Sequence, residues 1–400
     1  MKITSKKYDR RLIFCWVFIF FLFIIYNISS KIGLIPKIFG GFYTFSIIFS
    51  SLIVWRLFFY HILRSLWVLK NKSINIANVV NWLFLIFIIL FSTHVGIGYY
   101  NQVNLDIIES LGAAALRFFC LFVICIYMPI ESSEFGRVNF IAFLLTSGFL
   151  CLFYIFGGND FIIFDLSADF DIDNELNYQG VALAYLLIAI FGITYVKQTT
   201  FRLFCWMISF CVLFLIDARS EFLAALIIFF GIEFIFARNK IKNSFHSIIL
   251  LFITGLLFLI VYAYGYDFKS SGRMEGLLHI SNDESMLARS YLLDMGFKTI
   301  QENFIFGDFA SYPPGQYIHN ILSAWVDLGL IGFLLLVVIF MIIVTVIINS
   351  KNKEKRSIVW MLCISCIVLM LFVKAYFYIL LPIVIGMFLN VHWKKYPISR

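Results

Sequence analysis

Long apolar runs recur along this chain, separated by short polar segments, and the length of each run is the first signal to read. About 17–25 apolar residues suffice to cross a bilayer as a helix, and about twelve such runs can be drawn. They lie near 11–28, 38–60, 79–99, 111–130, 138–156, 179–196, 200–216, 221–237, 245–265, 320–348, 357–379 and 380–393. The last two abut, so Leu381-Pro382 is expected to make a tight turn inside an apolar stretch. The first run is too long for a secretory signal and no small-residue cleavage site follows it, so it reads as a signal anchor. The pattern predicts an all-α polytopic membrane protein of about twelve spans, with a large outer loop before the tenth. Its organisation would be a bundle of nine helices over 1–265, a polar outer segment over 266–319 and three closing helices over 320–400.

Two polar interruptions stand out, at 157–178 and 266–319. The second is too long for a mere connection. Within it, Ser281-Asn282-Asp283-Glu284 fits a capping box, with Ser281 at the N-cap and Glu284 at N3. The residues that follow place Leu287, Tyr291 and Met295 on one stripe, with Arg289 and Lys298 off it. This predicts an amphipathic helix that lies on the outer leaflet or packs over the bundle. Further on, Pro313-Pro314-Gly315 forces an extended turn that ends at His319, directly before a helix for which Asn320 is a plausible N-cap.

Composition agrees with this parse. Hydrophobic residues make up 62% of the chain, charged residues 14%, and mean hydropathy is +0.95, all beyond the range of a soluble domain. The net charge of +8 does not point to nucleic acid, because the bases are spread over short loops and form no stripe. With the N-terminus inside, alternating inner segments and their helix ends hold about 22 of the 31 bases, as the positive-inside rule requires. The outer segment 157–178 carries Asp160, Asp165, Asp169, Asp171, Asp173 and Glu175 and no base. Both termini are therefore expected in the cytoplasm. The eight cysteines are scattered through apolar runs, and even Cys363 and Cys366 read as packing residues rather than a metal or redox pair. No internal repeat of the kind common in transporters is visible.

Charged groups beside lipid are costly and mark candidate chemistry. Asp217-Ala218-Arg219-Ser220-Glu221 is a short outer turn. It reads equally as a solvated hairpin or as a site where the Arg219 guanidinium forks two donors onto a phosphate. Arg289 has Asp283, Glu284 and Asp294 nearby in sequence, so an ion pair competes with a functional role. His319 would sit at the positive end of a helix dipole, which favours a neutral imidazole able to accept a proton. Taken alone, it reads as an interfacial histidine making a capping hydrogen bond. Arg117, Glu233, Asp327 and Lys374 are unusual within apolar runs. Glu233 could snorkel or pair with Arg238, and Arg117 and Lys374 could reach the outer cavity, Lys374 as a further phosphate contact. Asp169-x-Asp171-x-Asp173 reads as solvated surface rather than a metal site.

The order and spacing of five elements carry a resemblance. Arg219-Ser220, Ala288-Arg289 with Gly296, Asn303–Gly307, His319-Asn320 and Leu328–Gly332 together resemble the O-antigen ligase and polymerase superfamily. Asn177-Tyr178 is similar to that family's Asn-containing helix entry, and the match spans roughly residues 177–335. The resemblance implies a fold of the GT-C type and a metal-independent, cofactor-free membrane glycosyltransferase whose donor is a glycan on undecaprenyl pyrophosphate. By the same resemblance, Arg219 and Arg289 bind the pyrophosphate and stabilise the leaving group, and His319 positions or deprotonates the acceptor hydroxyl. Asn320, Ser220, Lys374 and Asn177 would contact substrate. The implied setting is the bacterial inner membrane and lipopolysaccharide biosynthesis, with a chain-length regulator as a potential partner and no nucleic acid. The preferred member is the O-antigen polymerase. The ligase that transfers the chain to lipid A-core, and a capsule or other surface-polysaccharide polymerase, are the alternatives, with a lipid-linked oligosaccharide flippase ranked below them.

Overall fold

The structure, a computed structural model, describes residues 6–31, 42–70, 75–156, 178–216, 218–235, 284–312, 317–350 and 357–395. Among these residues all regular structure is helical: α1 (Lys6–Lys31), α2 (Phe42–Ile53), α3 (Trp55–Lys70), α4 (Ile76–Tyr100), α5 (Leu105–Tyr127), α6 (Ser133–Phe156), α7 (Tyr178–Tyr195), α8 (Thr199–Leu215), α9 (Arg219–Phe230), α10 (Glu284–Glu302), α11 (Leu322–Asn349), α12 (Ser357–Phe372) and α13 (Leu380–Lys395). Five stretches, in α1, α4, α5, α6 and α11, are long and apolar enough to cross a membrane, and α2 with α3 makes a sixth if the bent pair is one span. Shorter apolar helices occur in α7, α8, α12 and α13. The protein is thus helical and built for a membrane. The run expected at 245–265, the acidic segment to residue 177 and the capping residue Ser281 lie outside the described residues.

Two runs differ from the expectation. The stretch 38–60 is not one straight span: it breaks at Val54, where α2 and α3 meet at 73°. The serines before the break explain it, since Ser46 Oγ donates to the Tyr43 carbonyl and Ser51 Oγ to the Ile48 carbonyl. Such back-bonding competes with the helical ladder and bends it. At the C-terminal end the turn is 373–379, and Leu381-Pro382 lies within the first turn of α13. A proline there forfeits nothing, because the first amides of a helix have no internal acceptor.

By contacts the chain divides into two units, residues 1–46, 129–283 and 352–361 in one, and 47–128, 284–351 and 362–400 in the other. In the first, α7 is buried continuously from Val181 to Ile193, as befits a helix apolar all round. Gly192 lets its backbone approach α6, since a Cβ there would stand 2.8 Å from the Asn139 carbonyl oxygen. Asn139 in turn accepts from Trp16 Nε1 at 2.9 Å, tying α1 to α6. Past α9 the chain makes a π-helical turn, Gly231–Ile235, that carries Glu233. Glu233 does not snorkel. It is fully buried and takes a two-pronged contact from Arg202 on α8, at 2.6 and 2.7 Å, plus Trp206 Nε1 at 3.3 Å. The partner is therefore Arg202, one helix back, while Arg238 lies outside the described residues.

The second unit holds α13 against α5. Gly386 allows the approach, because a Cβ there would meet the Phe122 carbonyl oxygen at 2.6 Å. One turn on, Asn390 Nδ2 donates to the Met128 carbonyl at 2.6 Å and the Cys125 carbonyl at 3.2 Å, supplying acceptors' partners at the end of α5.

The most consequential feature of this unit is a break in α11. Gly329 takes φ +67° and ψ −172°, so the helix is interrupted between Leu328 and Leu330. The interruption is filled by the loop after α10. Asp308 N–H donates to the Val326 carbonyl at 2.6 Å, and Leu330 N–H donates to the Ile305 carbonyl at 3.2 Å. Backbone groups freed by a helix break need partners in an apolar setting, and residues 304–308 supply them for the Val326 carbonyl and the Leu330 N–H. Gly307, at φ +70°, passes so close that a Cβ would stand 2.6 Å from Gly329 N. The two Gly-bearing motifs noted in the sequence are thus one interlocked piece of backbone.

Candidate functional site

α10 is the floor of the candidate site. Leu292 and Ile300 are buried, with Met295 and Leu293 beside them, in a cluster with Tyr312, Ile318 and Val326. The buried stripe is therefore 292–296–300 rather than the expected 287–291–295, and Tyr291 is exposed. A rotation of one residue follows from Gly296. A Cβ at that position would overlap Ile318 and lie 2.8 Å from the Tyr312 hydroxyl, so Tyr312 and Ile318 pack directly on this bare face of α10. Gly296 thereby presses the 317–319 segment onto the helix that carries Arg289.

Asn320 fastens the other side of that segment. Its Oδ1 accepts from Leu322 N–H at 2.9 Å and its carbonyl accepts from Ser323 N–H at 3.1 Å, so it ties down the turn that opens α11, although the residue at the N-cap position is Ile321 rather than the expected Asn320. Ser323 Oγ donates to the same carbonyl at 2.7 Å and accepts from Tyr376 N–H at 3.0 Å. Through Ser323 the start of α11 holds the 373–379 turn, and with it Lys374. Asp327, one helical turn on, accepts from Ala310 N–H at 3.3 Å; this buried carboxylate stabilises Ala310 at φ +59°.

His319 stands where these pieces converge. Its ring is 4.5 Å from that of Tyr317, which in turn meets Phe377 edge-on at 5.0 Å. Burial first, then the charges of Arg289 and Lys374, push its pKa down to about 4, against a hydrogen bond to the Val373 backbone that favours the protonated ring. The imidazole is therefore neutral across the physiological range, as the sequence suggested. Desolvation is the largest cause, followed by the two cations. Lys374 is buried, with Nζ 4.9 Å from the Tyr378 ring centre, and lies in a turn rather than within a helix. Arg289 makes no salt bridge with Asp294 among the described residues. Tyr312 stays protonated, its phenol raised to about 12 by burial and then by the Asp327 charge.

His319, Arg289, Lys374 and Asn320 thus gather at one end of the second unit. Arg219 and Ser220 belong to the first unit, at the opening of α9. There Ser220 Oγ donates to Glu221 Oε2 at 2.6 Å, and Glu221 is fully buried at the third helical position, next to unpaired helix amides that favour an acid. Ser220 is accordingly engaged with its neighbour, a role the sequence did not suggest. Asn177 lies outside the described residues. Tyr317, Phe377, Tyr378 and Ser323 went unnoticed as site components, since aromatic and serine residues are frequent throughout the chain.

Chemically, two cations and a neutral imidazole favour an anion with a protic group beside it, and the aromatic rings offer flat faces for a sugar or another apolar surface. Neither a comparison with protein-family models nor one with curated proteins finds a match for this sequence.

Proposed function

We propose that this protein is an O-antigen polymerase. It would join undecaprenyl-pyrophosphate-linked oligosaccharide repeat units at the periplasmic face of the bacterial inner membrane, within about twelve spans and with both termini cytoplasmic. The observation that carries the reading is the convergence of Arg289 and Lys374 on a neutral His319. A pyrophosphate leaving group needs cations, and an acceptor hydroxyl needs a base. In the proposed reaction the acceptor oxygen attacks the anomeric carbon, the bond to the pyrophosphate oxygen breaks, and His319 takes the hydroxyl proton. Arg289 and Lys374 hold the departing diphosphate, and for Arg219 the phosphate-binding role rests on the sequence resemblance alone.

The two cations also tune the base. When no anion is bound they suppress protonation of His319, so the free site holds a weak base. A bound pyrophosphate would neutralise them and raise the imidazole pKa toward the working pH, where a general base is most effective. The base would then be strengthened only once the donor is in place.

Deleting the gene and examining surface lipopolysaccharide tests the reading. Core carrying at most one repeat is expected, restored to long chains by the wild-type gene and not by His319→Ala, Arg289→Ala or Arg219→Ala at normal membrane abundance. Arg219→Lys should also fail, because an ammonium does not reproduce the forked contact. Bare core with long chains on the carrier lipid would assign the ligase reaction instead. Wild-type chains in the His319→Ala strain would remove the general-base role.

A further inference from the structure

At the far end of the second unit, where α3, α5 and α13 finish and α4 begins, lies a second polar cluster that the proposed reaction does not use. Along α13 it is about 20 Å from the Lys374 turn, at 1.5 Å per residue. His61 and Ser65 from α3, Asn78 and Asn81 from α4 and Asn390 from α13 are all buried there. Arg64 stacks on Trp393 at 4.0 Å, and Trp393 Nε1 donates to Asn78 Oδ1 at 2.9 Å. The His61 ring lies 5.9 Å from the Trp393 ring, and Asn81 Nδ2 meets Ser65 Oγ at 3.2 Å.

Three buried polar atoms in this cluster have no hydrogen-bond partner: His61 Nε2, Arg64 Nε and Asn81 Oδ1. Their chemistry can be worked out from their neighbours. The Tyr127 hydroxyl accepts a guanidinium N–H from Arg64. Its own proton is then directed to His61 Nδ1, 3.4 Å away. His61 Nδ1 is therefore the acceptor and Nε2 carries the hydrogen. Exchanging the oxygen and nitrogen of the Asn81 amide keeps the Ser65 bond, with Ser65 donating, and turns an NH2 to the unpartnered position. All three orphans are then donors, one of them on a cation. Buried donors without acceptors are rare in folded proteins, and three together call for an oxyanion.

The geometry points to a binding site at this end of the bundle for a phosphate oxyanion, held by His61 Nε2, Arg64 Nε and Asn81. A phospholipid headgroup and free inorganic phosphate share that chemistry. Arg64 is only half-buried and provides the open side through which either would enter.

The full-length protein, purified in detergent, can be examined by native mass spectrometry after incubation with phosphatidylglycerol, phosphatidylcholine or inorganic phosphate. One phosphatidylglycerol retained at energies that strip phosphatidylcholine is expected, weakened roughly tenfold or more in Arg64→Gln and in Asn81→Leu. A phosphate adduct and thermal stabilisation by inorganic phosphate alone, lost in the same variants, would support the site with the free ion as its occupant. Asn81→Leu keeps the Arg64–Trp393 stack, so it reports on binding should Arg64→Gln fold poorly. Equal retention by wild type and a well-folded Asn81→Leu, or no retention of any phosphate compound by wild type, would overturn the proposal and leave these donors to water.

Discussion

Gly296 is the position at which the packing of the candidate site can be tested most directly. Replacing it with Ala adds a single methyl group on α10. In an ordinary helix interior that change would stabilise by roughly 1 kcal/mol, because Ala orders at lower entropic cost. Here the methyl would overlap the Ile318 side chain and press to 2.8 Å on the Tyr312 hydroxyl. Ile318 is 2% exposed and Tyr312 is 7% exposed, so neither can swing away into solvent. Overpacking of that kind costs about 1–3 kcal/mol, and with two immobile neighbours the upper part of the range applies. The net expectation is a loss of about 1–2 kcal/mol, with the 317–319 segment pushed off α10. Ile318→Ala alone should cost about 2–5 kcal/mol through the cavity it opens. In the double variant the new methyl partly fills that cavity, so the combined loss should fall short of the sum by about 1 kcal/mol or more. Thermal unfolding of the four detergent-solubilised proteins gives the cycle, and chain-length analysis of surface polysaccharide shows whether His319 is still correctly placed. Strict additivity, or a Gly296→Ala protein as stable as wild type, would refute the close packing of α10 on this segment.

The remaining expectations address other parts of the molecule. Gly329→Ala must place a Cβ at φ +67° against the Ile305 carbonyl, so it should lose more than about 2 kcal/mol and free the 303–310 loop, seen as new proteolysis there. An unchanged digestion pattern would count against the interlock. The acid limb of kcat/KM should have its midpoint near the free-site His319 pKa of about 4. Lys374→Met removes a cation that opposes imidazolium, so the limb should move to higher pH; movement to lower pH would contradict the electrostatic account. With donor bound, the acid limb of kcat should lie above that of kcat/KM. Arg202→Met should cost about 3 kcal/mol by stranding buried Glu233, and pairing it with Glu233→Met should recover most of that loss; equal losses in both would deny that the ion pair is the cause.

Much of the helical content was legible because apolar length and period are written directly into the sequence. What hydropathy could not show is where an apolar run bends. The Val54 break, the 373–379 turn and the Gly329 interruption all lie inside stretches apolar on both sides, and each is decided by backbone hydrogen bonding rather than by transfer from water. The charged members of the site were visible for the opposite reason: Arg289, His319 and Lys374 are costly beside lipid and therefore conspicuous. Their partners were not. For Glu233 the sequence offers a snorkelling position or a pairing with Arg238, whereas the fold supplies Arg202 from α8. The stripe on α10 was misplaced by one residue because a side-chain pattern cannot register the empty face of Gly296.

Glycine and histidine therefore contribute to this site in separable ways. Gly296, Gly307 and Gly329 touch no substrate in the proposed reaction; each marks a place where another group occupies the volume a Cβ would need. Their combined effect is to fix the 303–310 loop against α11, with the amides of Gly307, Asp308 and Ala310 hydrogen-bonded. That matters at a membrane surface, where a loop otherwise satisfies its backbone with water and moves. Once the Asn303–Gly307 loop fills the break in α11, Asp327 and Ser323 have fixed partners in Ala310 and Tyr376. The turn bearing Lys374 then has one position relative to His319. The spacing of the glycines thus encodes rigidity, and the charged residues encode chemistry on that frame. A glycine substitution should lower stability and activity together, whereas a change at His319 or Lys374 should lower activity in a protein that still folds.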